Sequence, residues 1–288
     1  MASMRDIKRR KESIQSTGQI TKAMKLVSTV KLQKAKSRAE QSKPYFDYMF
    51  EAVNTMLRKS GVMSHPYLLA GKSDKKAVIV VSSNRGLAGG YNQNVIKLIT
   101  SGDFNSDNTI IYAVGRKSKD ALARRRFTIA KDYSEVMNAP TYRDAMDIGQ
   151  TVLDAFTNEE VGEIYLAYTV FKNTVTQVPT LVKLLPVDTS NVESTSKDVN
   201  ERLTLMNYEP EEDEALNIII PKYMNSLIYG ALVQAIASEN GARMQAMESA
   251  TNNAEDMISD LSLRYNRARQ SSITQELTEI IAGANAIN

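Results

Sequence analysis

The apolar positions of this chain change period along its length. In the first stretch Ile7, Ile14, Ile20, Met24, Val27 and Val30 recur at roughly helical spacing, and Ala35 and Ala39 extend the stripe. Residues 1–43 contain no proline and one glycine, Gly18. Residues 222–288 again lack proline and hold glycine only at Gly230, Gly241 and Gly283. Proline costs a helix interior about 3 kcal/mol and glycine about 1 kcal/mol, so both ends are permissive for long helices. At about 1.5 Å per residue the last stretch could reach roughly 100 Å, far more than a compact domain of this size needs. Pro44 is expected to kink or interrupt the first helix, after which Tyr45, Met49, Ala52, Val53, Met56 and Leu57 resume the pattern.

Between the two ends the period shifts. AVIVVS (77–82) is a β-branched apolar run, followed by a Gly-rich turn and a helical stretch to Ile99. TIIYAV (109–114) reads as a second strand, RKSKDALARRR (116–126) as a basic helix and FTIAKDY (127–133) as a third strand. A helix over 142–156 precedes EIYLAYTVF (163–171) and VPTLVKLLPV (178–187), which read as a hairpin. Alternating β and α units call for a mostly parallel sheet covered by helices. Residues 61–76 read as a loop, and the acidic segment 188–214 as a partly mobile connection to the last helix.

The last helix carries small residues at Ala231, Ala235, Ser238, Ala242, Ala246 and Ser249, spaced by three and four. Such a seam lets two backbones approach closely, and the expected partner is the N-terminal helix, with Val27 or a close neighbour facing the seam. The expected fold class is therefore α/β, with long N- and C-terminal helices forming an antiparallel coiled coil around a central Rossmann-like α/β domain of mostly parallel sheet. The expected divisions are 1–60 and 212–288 for one discontinuous shaft and 75–190 for the central domain. Beyond about residue 270 the last helix should run out of partners. Its tip, IIAGANAIN (280–288), has no charged side chain and suggests a receiving sleeve.

Composition narrows the chemistry. The 288 residues are 42% hydrophobic, enough for a core, and include no cysteine, so a disulfide framework, a thiolate metal site and a cysteine nucleophile are excluded. The single histidine, His65, stands beside Pro66 and is expected to be a solvated loop residue. There is no apolar run long enough to span a bilayer. The basic N-terminus has no apolar signal core, and its helical pattern runs past residue 30, so it reads as mature protein rather than a leader.

The net charge of +3 hides an asymmetry. Residues 1–43 carry twelve Lys/Arg against three Asp/Glu, whereas 188–214 carry nine acids against two bases. A basic rod end calls for an anionic partner: nucleic acid, lipid or acidic protein loops. The turn Asn84-Arg85-Gly86-Leu87-Ala88-Gly89-Gly90 looks like a phosphate cradle, but its spacing fits neither G-x-G-x-x-G nor the Walker loop. Gly71-Lys72-Ser73 would need glycine at position 66, which is proline. No catalytic constellation is apparent. Two function classes remain from the residues alone: a force-transmitting or bridging rod, and a nucleic-acid-binding coiled-coil adaptor.

Three stretches decide between them. Ile14-Gln15-Ser16-Thr17-Gly18-Gln19-Ile20-Thr21-Lys22-Ala23-Met24-Lys25-Leu26-Val27-Ser28 resembles the N-terminal motif of the gamma subunit of the rotary F-type ATP synthase. Ser238-Glu239, Ala242-Arg243-Met244-Gln245-Ala246-Met247, Ala250-Thr251 and Asn253-Ala254 resemble its helical motif. Tyr265-Asn266-Arg267-Ala268-Arg269-Gln270 with Ile273-Thr274-Gln275-Glu276-Leu277-Thr278-Glu279-Ile280 resembles its C-terminal signature, and the Arg85-Gly86-Leu87 and Gly89-Gly90 turn is similar to a loop of that family. One departure is Asn240-Gly241, where a pair containing His or Ala is expected; it bears on local helix rigidity.

The resemblance implies a non-catalytic central rotor of bacterial type, without cofactor or metal, and without the cysteine-bearing insert of chloroplast members. It implies proton flow through a membrane c-ring as the drive. The implied partners are catalytic beta subunits, noncatalytic alpha subunits, an epsilon subunit and the c-ring, with no nucleic acid. The implied location is the cytoplasmic side of the cell membrane, held peripherally. By the same resemblance Lys22, Met24, Lys25, Arg267, Arg269, Gln270, Thr274 and Glu276 form a partner interface. The positive shaft suits acidic lever loops, and the uncharged tip suits an apolar bearing.

Overall fold

The structure, a computed structural model, describes residues 4–59, 65–187 and 212–287. The chain forms two compact units, one of Thr29–Ala242 and one of Met1–Ser28 with Arg243–Asn288. Two helices contribute to both: α1, Met4–Lys59, and α5, Glu212–Ile287.

The larger unit is a three-layer α/β body. Its strands are β1 (Lys76–Val81), β2 (Thr109–Val114), β3 (Thr128–Asp132), β4 (Glu163–Phe171) and β5 (Gln177–Leu185). They lie in the order β3-β2-β1-β4-β5. The first four run parallel, and β5 returns antiparallel beside β4. The mostly parallel, Rossmann-like sheet and the closing hairpin are as the sequence leads one to expect.

Period-two alternation distributes the sheet between two cores. Ala77, Ile79 and Val81 of β1, with Ile164 and Leu166 of β4, face α4 (Tyr142–Thr157) and the first part of α5. Val78 and Val80, with Ile111 and Ala113 of β2, face α2 (Tyr91–Thr100) and α3 (Arg116–Ala123). Burial on both faces explains why β1 reads as a continuous apolar run. The start of α4 is fixed by a capping box, in which the Thr141 hydroxyl accepts from the Asp144 N–H while the Asp144 carboxylate accepts from the Thr141 N–H.

Four expectations need correction. Pro44 does not interrupt α1. Both Pro44 and Glu40, whose carbonyl loses its usual N–H partner, are exposed, so water can satisfy that carbonyl. Ile20, Val27 and Val30 do not form the packed stripe of α1, since they are 57%, 57% and 64% exposed. The small residues of α5 are not a seam for the N-terminal helix around Val27. Ala231 and Ala235 belong to the core under the sheet, Ser238 Oγ donates to the Thr169 carbonyl at 3.0 Å, and Ala242 packs with Ala88 and Tyr91. Smallness there lets α5 lie close to the α/β body, and Ser249 at the end of the series is exposed.

The fourth correction concerns His65, which is only 3% exposed. Its Nδ1 accepts the Tyr67 N–H at 3.2 Å, its ring lies 5.1 Å from that of Tyr67, and its carbonyl accepts the Leu68 N–H. A tight turn thus tucks the imidazole in. Most of the acidic segment 188–214 lies outside the described residues.

The turn after β1 is closed by its own side chains. The Ser83 N–H donates to Asn92 Oδ1 at 2.9 Å, the Arg116 N–H to Asn84 Oδ1 at 3.0 Å and the Ser118 N–H to Ser82 Oγ at 2.9 Å. Backbone donors that could have faced a phosphate at the head of α3 are therefore committed to oxygens of the protein.

Candidate partner interface

The smaller unit is a pair of antiparallel helices, residues 4–28 of α1 and 243–287 of α5. Gly18 faces Ala254, Thr21 faces Thr251 and Lys25 faces Glu248, so numbers rise along one helix as they fall along the other. Along α1 the covered positions Met4, Ile7, Lys11, Ile14, Gly18, Thr21, Lys25 and Ser28 alternate by three and four, with Met24 half-buried beside Lys25. On α5 the matching positions are Met247, Thr251, Ala254, Ile258, Leu261, Tyr265, Ala268 and Ser272. This is the 3.5-residue period of a coiled coil.

The middle of the seam is narrow and polar. A Cβ on Gly18 would sit 3.4 Å from the Ala254 Cβ. The Thr21 and Thr251 hydroxyls are 2.7 Å apart, and their oxygens also lie at 3.0 Å from the Gly18 carbonyl and 2.8 Å from the Met247 carbonyl. Lys25 Nζ donates to Glu248 Oε1 at 2.7 Å. Sequence reasoning placed Ile7 and Ile14 in the packed stripe but missed the middle of this seam because it followed the large apolar side chains. The signal was the alternation carried by Gly18, Thr21, Lys25 and Ser28.

Other large apolar residues of the pair point outward. Ile20, Leu26 and Val27 of α1 and Met257 and Leu263 of α5 are all exposed, between 50% and 64%. After Ser272 α5 continues to Ile287 with no described position covered, a single helix of about 20 Å. Ile273, Leu277, Ile280 and Ile281 line one side of it and are 48–68% exposed. Their i, i+4, i+7, i+8 spacing makes an apolar stripe turned away from the side that carries the seam. The expectation that the helix outruns its partner near residue 270 is met, and the tip is apolar along one face.

The expected interface residues distribute over both helices. Lys22 is exposed and borders a shallow groove with Gln15, Gln19, Glu255 and Ile258 above the Gly18–Ala254 contact. Met24 is half-buried, and Lys25 is engaged with Glu248. Arg267, Arg269, Gln270, Thr274 and Glu276 are all exposed. Arg267, Gln270 and Thr274 share one side of α5, while Arg269 and Glu276 share another, beside Ile273 and Ile280. The Thr274 hydroxyl donates to the Gln270 carbonyl at 2.9 Å, which leaves its oxygen as an acceptor for a partner. Among the described residues no cluster of three acidic or histidine side chains could hold a metal ion, and no helix is long and apolar enough to cross a membrane.

Known proteins resemble this chain in sequence and in fold. The profile of a family described as ATP synthase matches residues 3–287. The chain is 77% identical over 291 residues to the ATP synthase gamma chain of Lachnoclostridium phytofermentans, covering 100% of both. It is 40% identical over 299 residues to a gamma chain of Acetobacterium woodii described as sodium ion specific, covering 99% of both. Its fold is similar to that of a chain in the Euglena gracilis mitochondrial ATP synthase structure, with a TM-score of 0.70 at 18% identity, covering 99% of this chain and 94% of that one. A chain in the central stalk/c-ring structure of the Tetrahymena thermophila mitochondrial enzyme aligns with a TM-score of 0.58 at 24% identity, over 80% and 99%.

Proposed function

Because this chain belongs to the ATP synthase gamma-chain family, we propose that it turns inside the catalytic head and couples ion flow to ATP synthesis or hydrolysis. It is a non-catalytic subunit and the central shaft of that assembly. Nothing in the relatives favours the nucleic-acid adaptor. The observation that carries the working mechanism is the single helix beyond Ser272, whose stripe of Ile273, Leu277, Ile280 and Ile281 has no cover from this chain. Apolar surface of that kind needs a sleeve.

In this reading the sleeve is a ring of three catalytic beta and three noncatalytic alpha subunits. Residues 1–60 and 212–288 act as the shaft, and 75–190 as the head that an epsilon subunit and the c-ring engage. The assembly is membrane-associated, and we place this subunit on the cytoplasmic face with protons as the driving ion. The name of the Acetobacterium woodii relative specifies sodium for that protein.

An asymmetric shaft touches three chemically equivalent partners differently, and only such differential contact can shift their conformational populations. Lys22, Met24 and Lys25 on α1, and Arg267, Arg269, Gln270, Thr274 and Glu276 on α5, supply those contacts. The exposure of Lys22, Arg267, Arg269, Gln270, Thr274 and Glu276 supports the assignment. Exposed charges make screened contacts that are readily broken and remade during a turn.

The chain contains no cysteine, so one introduced thiol is unique in it. Leu263 is 58% exposed on the helix pair. In the assembled enzyme, a Leu263→Cys thiol joined to a thiol on the facing sleeve should stop ATP turnover, and reduction should restore it. Full turnover with the cross-link quantitatively formed would remove the rotor reading.

A further inference from the structure

Gly241 stands inside α5, where glycine is disfavoured relative to alanine, so its presence asks for a local reason. The reason is an aromatic ring. A Cβ at Gly241 would lie 3.0 Å from Cε2 of Phe171, the last residue of β4, and 3.6 Å from Nε2 of Gln177, the first residue of β5. The absent side chain makes a notch in the helix surface, and the Phe171 ring occupies it. Lys36 of α1 places its Nζ 5.1 Å from the centroid of the same ring, so one side chain of the sheet touches both long helices.

The surroundings hold this ring in place. One turn before the notch, Ser238 Oγ donates to the Thr169 carbonyl of β4 at 3.0 Å, and both residues are almost fully buried. Next to the notch Ala242 packs with Ala88 and Tyr91. On the sheet side the hairpin end is closed on itself. Gln177 Nε2 donates to the Thr174 carbonyl at 2.8 Å, and Asn173 Oδ1 accepts the N–H groups of Val175 and Thr176 at 2.9 and 2.7 Å. Aliphatic helix faces packed on a sheet resist separation but can slide. A ring seated in a notch, with a directional hydrogen bond one turn away, resists rotation of the helix about its own axis.

We propose that Phe171 is a positioning residue for energy coupling: seated between Gly241 of α5 and Lys36 of α1, it locks the helices to the α/β body so that torque passes between body and helices without slip. This rests on the rotor reading above. The glycine at 241, which departs from the pair expected of the family, is what admits the ring.

The test is torsional stiffness in the assembled enzyme. The catalytic head is immobilised, and a bead is attached through Asp107→Cys, an exposed loop position of the body and then the chain's sole thiol. With the head arrested without ATP, the width of the bead's angular distribution reports stiffness. Phe171→Ala should broaden the distribution, Phe171→Leu should broaden it less, and unloaded ATP turnover should stay at the wild-type level in both. Val175→Ala, at the exposed hairpin tip, should leave the width unchanged.

Gly241→Ala separates locking from ordinary stabilisation. It favours the helix but crowds the ring, so it should also broaden the distribution without lowering the melting temperature. An unchanged width in Phe171→Ala, or a narrowing in Gly241→Ala, overturns the proposal; should Phe171→Ala fail to assemble, Phe171→Leu and Gly241→Ala still decide. Failure of the wild-type bead to rotate with ATP would instead sink the rotor reading itself.

Discussion

The α/β body buries most of its apolar residues around the sheet, whereas the smaller helix pair turns many of its own outward. In the body Ala77 to Val81 are all 0% exposed, and the core continues through Ile148, Ile164 and Leu216 at the same value. In the helix pair the close contacts belong to Gly18, Thr21, Thr251 and Ala254, while Val27, Leu263 and Ile280 face out. The body's hydrophobic pattern thus specifies its own fold. The pattern on the helices is largely addressed to other chains, as expected of a shaft that is complete only inside its assembly.

The sharpest way to break this contrast is to damage one core residue of the body. Ile79→Ala removes a fully buried side chain from the central strand. It should cost about 2–5 kcal/mol in urea unfolding of the purified chain. A loss well under that range would mean that the body is as loosely determined as the pair.

The seam of the pair should matter less. Ala254 is 5% exposed and faces Gly18. Ala254→Phe overpacks the crossing and should cost about 1–3 kcal/mol, with faster proteolysis of both helix ends than of the sheet. Cleavage that begins in the sheet would reverse the ranking.

A third prediction sharpens the body's side with pH. Burial alone would raise the Glu163 carboxyl. The hydrogen bonds it accepts from Lys183 and Tyr165, with the charges of Lys183 and Lys76, outweigh that and hold it below its ordinary value of 4.5. A depressed carboxyl stabilises the fold above its unfolded value, and the contribution is lost as pH falls through the folded one. Glu163→Gln should therefore lower stability by about 1 kcal/mol at neutral pH. It should also flatten the loss of stability expected of the unsubstituted chain as pH falls below 4.5. Parallel urea midpoints for the two proteins down to that acid range would refute it.

The same contrast governs how much could be read without coordinates. β1 and β2 were legible because strands buried on both faces are unbroken apolar runs. α4 was legible from its apolar pattern, and its Thr141–Asp144 cap is local. The seam of α1 was not, because reading by size picked Ile20, Val27 and Val30, which face out, over Gly18 and Thr21, which face α5. The burial of His65 depends on a turn that packs its ring against the tilted ring of Tyr67, which a loop composition does not announce. The proposed interface residues rest on family motifs, whereas the Lys25–Glu248 pair joins positions remote in the chain and had no local signal.

The smallest expected effect on the chain alone belongs to the residues proposed to matter most in the assembly. Arg269 and Gln270 are exposed on α5 next to Ala268, the last seam position but one. A guanidinium can hold a carboxylate in a fork, and an amide can both donate and accept, so the two suit contacts made at one rotor angle and released at the next. In the isolated protein they touch water, and Arg269→Ala with Gln270→Ala should change stability by no more than about 0.5 kcal/mol. In the assembled enzyme the same double variant should lower both ATPase and synthesis rates while subunit stoichiometry on a gel stays intact. Wild-type turnover in an intact complex would remove the two side chains from the mechanism. Loss of assembly would recast them as structural, and a large stability loss in the isolated chain would show that this part of the shaft is packed from within after all.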